Sequence, residues 1–336
     1  MPSRRIRPIL GLRRRALLAS SLAAPALLAA RSRAETVLPD KALRLLTGFQ
    51  ANGGTDVTAR LIAASLERRL GRHIVVENKP GNNGTIPGEL AMHGPKDGSM
   101  LAFLASTTLV SKLGQRDFPF DPLVDLAPIS LAGTWPMGLA VSPKIGVSTF
   151  KEYLDWMRAG DSDRHRLGNT ASNAFIEAFN LMFARELVVA LKVVPYRGTV
   201  PMINDLADGR LPAAASGMVS LLEHHRGGRL RLLMTSGPDR LEVAKDIPAA
   251  RELGVGSLET VEWFAFFAPA GTPEPVIEEW HRHIDAVMSD PDVAGAVKLI
   301  GMKAKTSSPG ETRIRIAEHM KHWKARMLEV GMAPLG

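Results

Sequence analysis

Short apolar runs alternate with stretches of helical periodicity along most of this chain, and that alternation restricts its fold more than any other feature. Leu43, Leu45 and Leu46 form a short buried-strand pattern, and Val57, Leu61, Ile62, Leu66 and Leu70 then recur at helical spacing. Further strand candidates lie at residues 73–77, 100–105, 137–141, 192–194, 211–214 and 230–234. Strands that take turns with helices favour an α/β architecture over a helical bundle or a β-sandwich. The chain ends in a largely helical tail, where Val276, Ile277, Trp280, Ile284 and Val287 share one face behind Pro273 at a helix start. A length of 336 residues suits two domains of roughly 150 residues each, and 45% hydrophobic residues can supply a core to both. No internal repeat, low-complexity tract or heptad run is evident.

The turn between the first strand and the first helix has chemistry of its own. Gly53 and Gly54 leave the backbone amides uncovered, and Thr55 is a good N-cap for the helix that follows. Free N–H groups at a helix start, with the positive end of its dipole, attract carboxylate or phosphate. A Gly-Gly pair also serves simply as a tight turn. Asp56 complements the helix dipole in the ordinary way and repels a nearby anion, so any ligand contact from it runs through water or a ligand ammonium.

The net charge of +8 hints at nucleic acid, but its distribution removes the hint. Residues 1–34 hold eight arginines and no acid, which leaves 34 basic and 34 acidic residues in the remainder. A formally neutral body gives no basic surface for nucleic acid. Those first 34 residues read as an export signal: Arg13, Arg14 and Arg15 precede an apolar run over 16–30, and Ser32 and Ala34 offer a small-x-small cleavage site. The run is shorter than the ~20 residues that span a bilayer. Arg14, Arg15, Ala16, Leu17 and Leu18 fit a twin-arginine signal, with an ordinary secretory signal as the alternative. The chain has no cysteine, so no disulfide, lipid-anchoring thiol or thiolate metal site is available.

Several segments, in order, are similar to one known family. They are GGTDVTARLIAASLERRLGRHIVVENKPGNNGT, GPKDGSMLAFLAST, FPFDPLVDLAPISLAG, VVPYRGTVPMINDLADGR and WFAFFAPAGTPEPV. Together they resemble the tricarboxylate-carrier-type periplasmic binding proteins, the Bug (Bordetella uptake gene) receptors. The resemblance implies a two-lobed, type II-like periplasmic binding protein, each lobe a mixed sheet flanked by helices, with the ligand cleft between lobes. It implies a monomer that presents a small carboxylate to the membrane permease subunits of a tripartite tricarboxylate-type transporter. The apolar stretches 127–141 and 261–268 become the crossings between lobes. Lobe one is expected over 35–135 plus 259–336, and lobe two over 136–258.

On lobe one the resemblance carries the first binding loop onto Gly53, Gly54, Thr55 and Asp56, and a second onto Ser106, Thr107 and Thr108. On lobe two the family's Gly- and Ser-rich loop falls on Gly168, Asn169, Thr170, Ala171, Ser172 and Asn173. A further loop falls on Ser216, Gly217 and Met218, and Tyr196, Arg197 and Gly198 occupy a Tyr-Lys-Gly-like turn, with Tyr196 lining the cleft. The chain departs from the family's pattern in the second-lobe Gly- and Ser-rich loop, which is about one residue shorter with fewer glycines, and at five further positions. Phe175 and Ile176 stand where small or polar residues are expected, Ala215 where an Asp is expected, and Gln50 and Asn52 where a proline and a small residue are expected. Losing an Asp at 215 tilts the reading away from amino acids, and Phe175, Ile176 and Met218 hint at a ligand less polar than citrate. Phe264, Phe266 and Phe267 are expected to pack the crossing strands.

Other chemistry finds little support in the sequence. There is no Gly-x-Ser-x-Gly elbow, no His-Glu-x-x-His pair and no Walker loop. Gly81, Asn82, Asn83 and Gly84 lack dinucleotide-binding spacing, so no cofactor is expected. His281 and His283 with Glu279, and His319 with His322, read as exposed helical faces and not as metal sites. Arg226, Arg229 and Arg231 read as a solvated face. Two classes remain: a carboxylate receptor, for transport or for sensing, and an exported enzyme on the same scaffold. Di- and tricarboxylates, aromatic acids, nicotinate-like acids and amino acids all suit loops of amide and hydroxyl donors.

Overall fold

The computed structural model describes residues 37–170 and 173–335. The export segment of residues 1–34 lies outside the described residues. The first sheet begins with β1 (Leu43–Thr47), which turns through Gly53 into α1 (Gly54–Leu70) and returns as β2 (Ile74–Asn78). Gly71 ends α1 in the left-handed conformation at φ 65°, where a side chain would be strained. Then α2 (Ile86–Met92) leads to β3 (Met100–Ala105), and α3 (Ser106–Val110) starts directly from its end. β1 pairs in parallel with both β2 and β3, which places the starts of α1 and α3 at the same edge of the sheet.

The chain next runs through β4 (Leu126–Val141), a strand of 16 residues. Its first part pairs antiparallel with β9 (Val261–Pro269), as far as Pro136 against Val261. From Met137 onward it pairs instead with β7 (Ala213–Gly217) and β8 (Arg231–Thr235). The strand thus changes partners between Pro136 and Met137. Pro128, which has no N–H to give a ladder, sits where the β4–β9 register shifts. Gly133 sits at a second shift: its φ is 145°, and a Cβ there would lie 2.6 Å from the Lys303 carbonyl oxygen.

The second sheet is completed by α4 (Phe150–Arg158), β5 (Arg166–Asn169), α5 (Ala174–Leu187), β6 (Lys192–Pro195), α6 (Thr199–Asp208) and α7 (Met218–Arg226). β5 lies between β6 and β7 and is parallel to both. The strand order is β2-β1-β3-β9-β4-β7-β5-β6, with β8 on β4 beside that path. After β9 the tail forms α8 (Glu274–Met288), α9 (Pro291–Leu299) and α10 (Pro309–Glu329). Ser308 and Glu311 make a reciprocal capping box at the start of α10.

Of the two expected crossings, only the first changes sheets. All of β9 pairs with β3 and the first part of β4, so the run 261–268 belongs to the first sheet. Its aromatic residues pack there as expected: Phe103 lies 5.1 Å from Phe264 and 4.9 Å from Phe266, centre to centre. The same core continues through Trp135 to Phe175, whose ring meets Trp323 edge-on at 4.5 Å.

Candidate ligand-binding cleft

A cavity of about 70 Å³ lies where loops from the two sheets meet. From the first sheet come Phe49, Gln50, Gly53, Gly54, Thr55 and Thr107; from the second come Thr170, Gly198, Thr199, Val200, Ser216 and Ser220. Trp135 and Phe264 line it from the strands between. The two sides touch. Gly54 N donates to Ser220 Oγ at 3.2 Å, and a Cβ on Gly54 would lie 2.5 Å from that oxygen. Gly198, at φ 108°, comes as close to Gln50: a Cβ there would be 3.2 Å from Gln50 Oε1.

Four helix starts border this cavity, that of α3 through Thr107, and the other three follow a glycine. Gly53, Gly198 and Gly217 are the N-caps of α1, α6 and α7, and none supplies a capping side chain. Elsewhere Thr149, Asn173, Asp290 and Ser308 cap α4, α5, α9 and α10 with side-chain oxygens. Uncapped helix starts from both sides therefore face one small space, together with the hydroxyls of Thr55, Thr107, Thr170, Thr199, Ser216 and Ser220. Such a surface grips an anion through amide dipoles and hydroxyl donors. Among the described residues no Lys, Arg, Asp or Glu lines the cavity.

The expected site residues divide into three groups. Gly53, Gly54, Thr55, Thr107, Thr170 and Ser216 line the cavity. Ser172 lies outside the described residues. The others are placed elsewhere, each for a local reason. Asp56 is turned inward and accepts hydrogen bonds from Asn52 N, Arg60 Nε and Asn78 Nδ2 at 2.8–2.9 Å. Burial works to raise its pKa, but those hydrogen bonds and the Arg60 charge prevail and hold it below the ordinary carboxylate value. Ser106 is fully buried and donates to Glu262 Oε2 at 2.5 Å. Thr108 Oγ1 donates to the Asn83 carbonyl, and Asn169 Nδ2 to Asn180 Oδ1.

Asn173 caps α5 and lines a separate, wider groove of about 690 Å³ with Ser111, Ile176 and Glu177. Tyr196 does not line the cavity: its hydroxyl donates to Asp205 at 2.8 Å, and burial together with that carboxylate pushes its pKa up to about 12. Met218 is a core residue under Gly138 and Gly301. Ala215 faces a crevice between Phe179, Phe183 and Met234 and not the cavity, and Phe175 packs on Trp323. Phe175, Ala215 and Met218 thus bear on packing and Ile176 on the wider groove, so none of the three residues behind the hint of a less polar ligand lines the cavity.

Gln50, Gly198, Thr199, Val200, Ser220, Trp135 and Phe264 were not among the expected ligand contacts. The glycine at 198 just before Thr199 was the available signal for the α6 start, since it repeats the Gly54–Thr55 pair. Among the described residues no group of three or more His, Cys, Asp or Glu is arranged to hold a metal ion. Ser106, Glu262 and His319 are linked, but Ser106 donates straight to the carboxylate, with no imidazole between to take its proton.

A mixed α/β fold with polar loops converging between two lobes is that of the periplasmic binding proteins. The chain belongs to the TctC family, the tripartite tricarboxylate transporter family receptors, whose sequence model matches residues 58–332. It is 29% identical over 300 residues to protein BugT of Bordetella pertussis, covering 87% of this chain and 90% of BugT. Among solved structures it is similar to R. palustris Rpa4515 with adipate, at a TM-score of 0.82 and 24% identity, over 88% of this chain and 99% of that one. It is also similar to MatC (Rpa3494) from Rhodopseudomonas palustris with bound malate, at a TM-score of 0.78 and 24% identity, over 86% and 99%.

Proposed function

We propose that this protein is a periplasmic solute-binding receptor that takes a small carboxylate between its two lobes and, as a monomer, delivers it to the permease subunits of a tripartite tricarboxylate-type transporter. The observation that carries the reading is the convergence of three glycine-capped helix starts, α1 from one side and α6 and α7 from the other, on one cavity. The bound adipate and malate of the two similar structures agree with it. Lobe one comprises 35–135 plus 259–336 and lobe two 136–258, a division supported by the partner change in β4 between Pro136 and Met137. Residues 1–34 direct export and are then removed. The mechanism is binding without covalent chemistry: the lobes part, admit the acid and close over it.

The cavity size bears on ligand choice. At 10–15 Å³ for each water-sized group, 70 Å³ holds roughly five to seven of them, which favours short acids. A thermal-shift screen of residues 35–336, stripped of co-purified ligand, against short and long mono-, di- and tricarboxylates, aromatic acids and amino acids tests the reading. A ligand at about 100 times its Kd adds about 2.7 kcal/mol and raises the midpoint by several degrees. A shift with a short carboxylate, recovered unchanged, is the expected result; no shift with any acid rejects it.

A further inference from the structure

Directly behind the cavity lies a buried ion pair that the binding reading does not use. Glu262 stands on β9 opposite Trp135 of β4 and two residues before Phe264, and both aromatic rings line the cavity. Its side chain is fully buried. It accepts three hydrogen bonds: from Ser106 Oγ at 2.5 Å, from Thr260 Oγ1 at 2.9 Å and from His319 Nε2 at 3.0 Å. Ser106 in turn accepts from Trp263 N and is the first residue of α3, immediately before Thr107 in the cavity wall. Glu262 therefore ties the second lobe-one loop to the strands beneath it.

A buried negative charge below an anion site opposes binding unless it is compensated. Among the described residues His319 is the one cationic group hydrogen-bonded to it, with His322 and Arg326 acting on the same charge without a hydrogen bond, and His319 opens on its far side to a groove of about 340 Å³ shared with Arg315, Glu318, His322 and Glu259. Of the elements packed against the pair, α8 is the most charged, with Glu274, Glu278, Glu279, His281, Arg282, His283 and Asp285. β3, β4 and α3 carry none, and α2 brings Glu89. α5 brings Glu177 and Arg185 on its exposed side and Glu186, which accepts from Ser257 Oγ. α10 adds Arg326 beside His322. Burial alone drives a carboxyl group up, yet the His319 charge and the three hydrogen bonds hold Glu262 below its ordinary value.

We infer that Glu262 and His319 form a charge-paired positioning device for the cleft, in which protonated His319 cancels the Glu262 charge and so permits carboxylate binding. Capture of the ligand anion then takes up a proton on His319, through the outer groove, and loss of that proton favours release. This rests on the reading of the cleft as a carboxylate site, and the test separates the two. The affinity of the carboxylates of the screen, malate first among them, is measured from pH 5.5 to 9.5 in the wild type and in Glu262→Gln, His319→Gln and His322→Gln, with ring protonation of His319 followed by NMR with and without ligand.

Wild-type affinity falls roughly tenfold as His319 deprotonates, the order of one unit charge acting at about 10 Å through an effective dielectric near 20. His319→Gln loses that dependence and stays at the weak level. Glu262→Gln, whose amide oxygen can still accept from Ser106, binds roughly tenfold tighter than wild type at high pH. His322→Gln, at a residue with no hydrogen bond to Glu262, changes the profile less than His319→Gln does. Identical pH profiles in wild type and His319→Gln, or no gain in Glu262→Gln at high pH, overturn this inference alone. Failure of every carboxylate to bind at any pH overturns it together with the reading of the cleft.

Discussion

Gly54→Ala separates closure of the cleft from stability of the fold. A methyl group at this position meets Ser220 Oγ at 2.5 Å and Val219 Cγ2 at 2.6 Å, whereas ordinary contact begins near 3.4 Å. Relief requires 3.4 − 2.5 = 0.9 Å of separation between the start of α1 and Ser220 Oγ, by rotation of that side chain or by parting of the two helix starts. The Gly54 N to Ser220 Oγ bond, now 3.2 Å, would then exceed 4 Å and cease to be a hydrogen bond. Losing that bond, and loosening a comparable one to a ligand seated on the same helix starts, costs about 1–3 kcal/mol, or roughly 5- to 150-fold in affinity. Within helix α1 the same change removes a glycine, which favours the folded state by about 0.5–1 kcal/mol. Calorimetric titration with the carboxylate found by the thermal screen, alongside a melting curve, reads both quantities. Weaker binding with an unchanged or raised Tm is the expected outcome; wild-type affinity in Gly54→Ala would refute the claim that the two lobes meet at this contact when ligand is bound.

Three further outcomes follow from the geometry. Asp56→Asn leaves cavity chemistry untouched but weakens the bonds to Asn52, Arg60 and Asn78, so it lowers stability by about 1–3 kcal/mol in urea titration while any loss of affinity stays small. Bonds from Arg44 hold Glu77 at about 2, and Asp97 also lies at about 2, where burial is outweighed by Lys41 and Ser99. Because both folded values are depressed, their stabilisation is complete above the unfolded values of 4.5 and 3.8 and is lost as pH falls toward 2; a Tm that stays flat over that range would contradict it. Trp323→Ala removes the ring that Phe175 meets edge-on and costs about 3–5 kcal/mol by chemical denaturation.

The periodic parts of the chain were legible because burial imposes its period on the sequence. Residues 100–105 match β3, and the run at 127–141 falls within β4, since both are apolar strands with turn signals around them. β5 was not recognised: Arg166, Leu167, Gly168 and Asn169 have a single large apolar residue, and the strand exists because β6 and β7 pair with it on both sides. The run at 261–268 was read as a crossing because continuous apolar sequence marks burial without saying which sheet buries it. In the cleft, local chemistry at a helix start pointed to Gly53, Gly54 and Thr55, whereas Thr107, Thr170 and Ser216, which also line the cavity, came from the family resemblance. Alternation along β7 turns Ala215 away while Ser216 faces the cavity, and Met218 was misplaced because it is the first residue of α7 and packs into that helix's core. The Ser220 contact was invisible, since it depends on the approach of two lobes and not on any local pattern.

Crystals grown with the carboxylate identified by the thermal screen give the most direct test of the central claim. The account predicts a carboxylate group between the starts of α1, α6 and α7, within hydrogen-bonding distance of their first amides and of the Ser216 or Thr170 hydroxyl. A ligand lodged instead in the wide groove beside α5, or held by groups away from these helix starts, would contradict it.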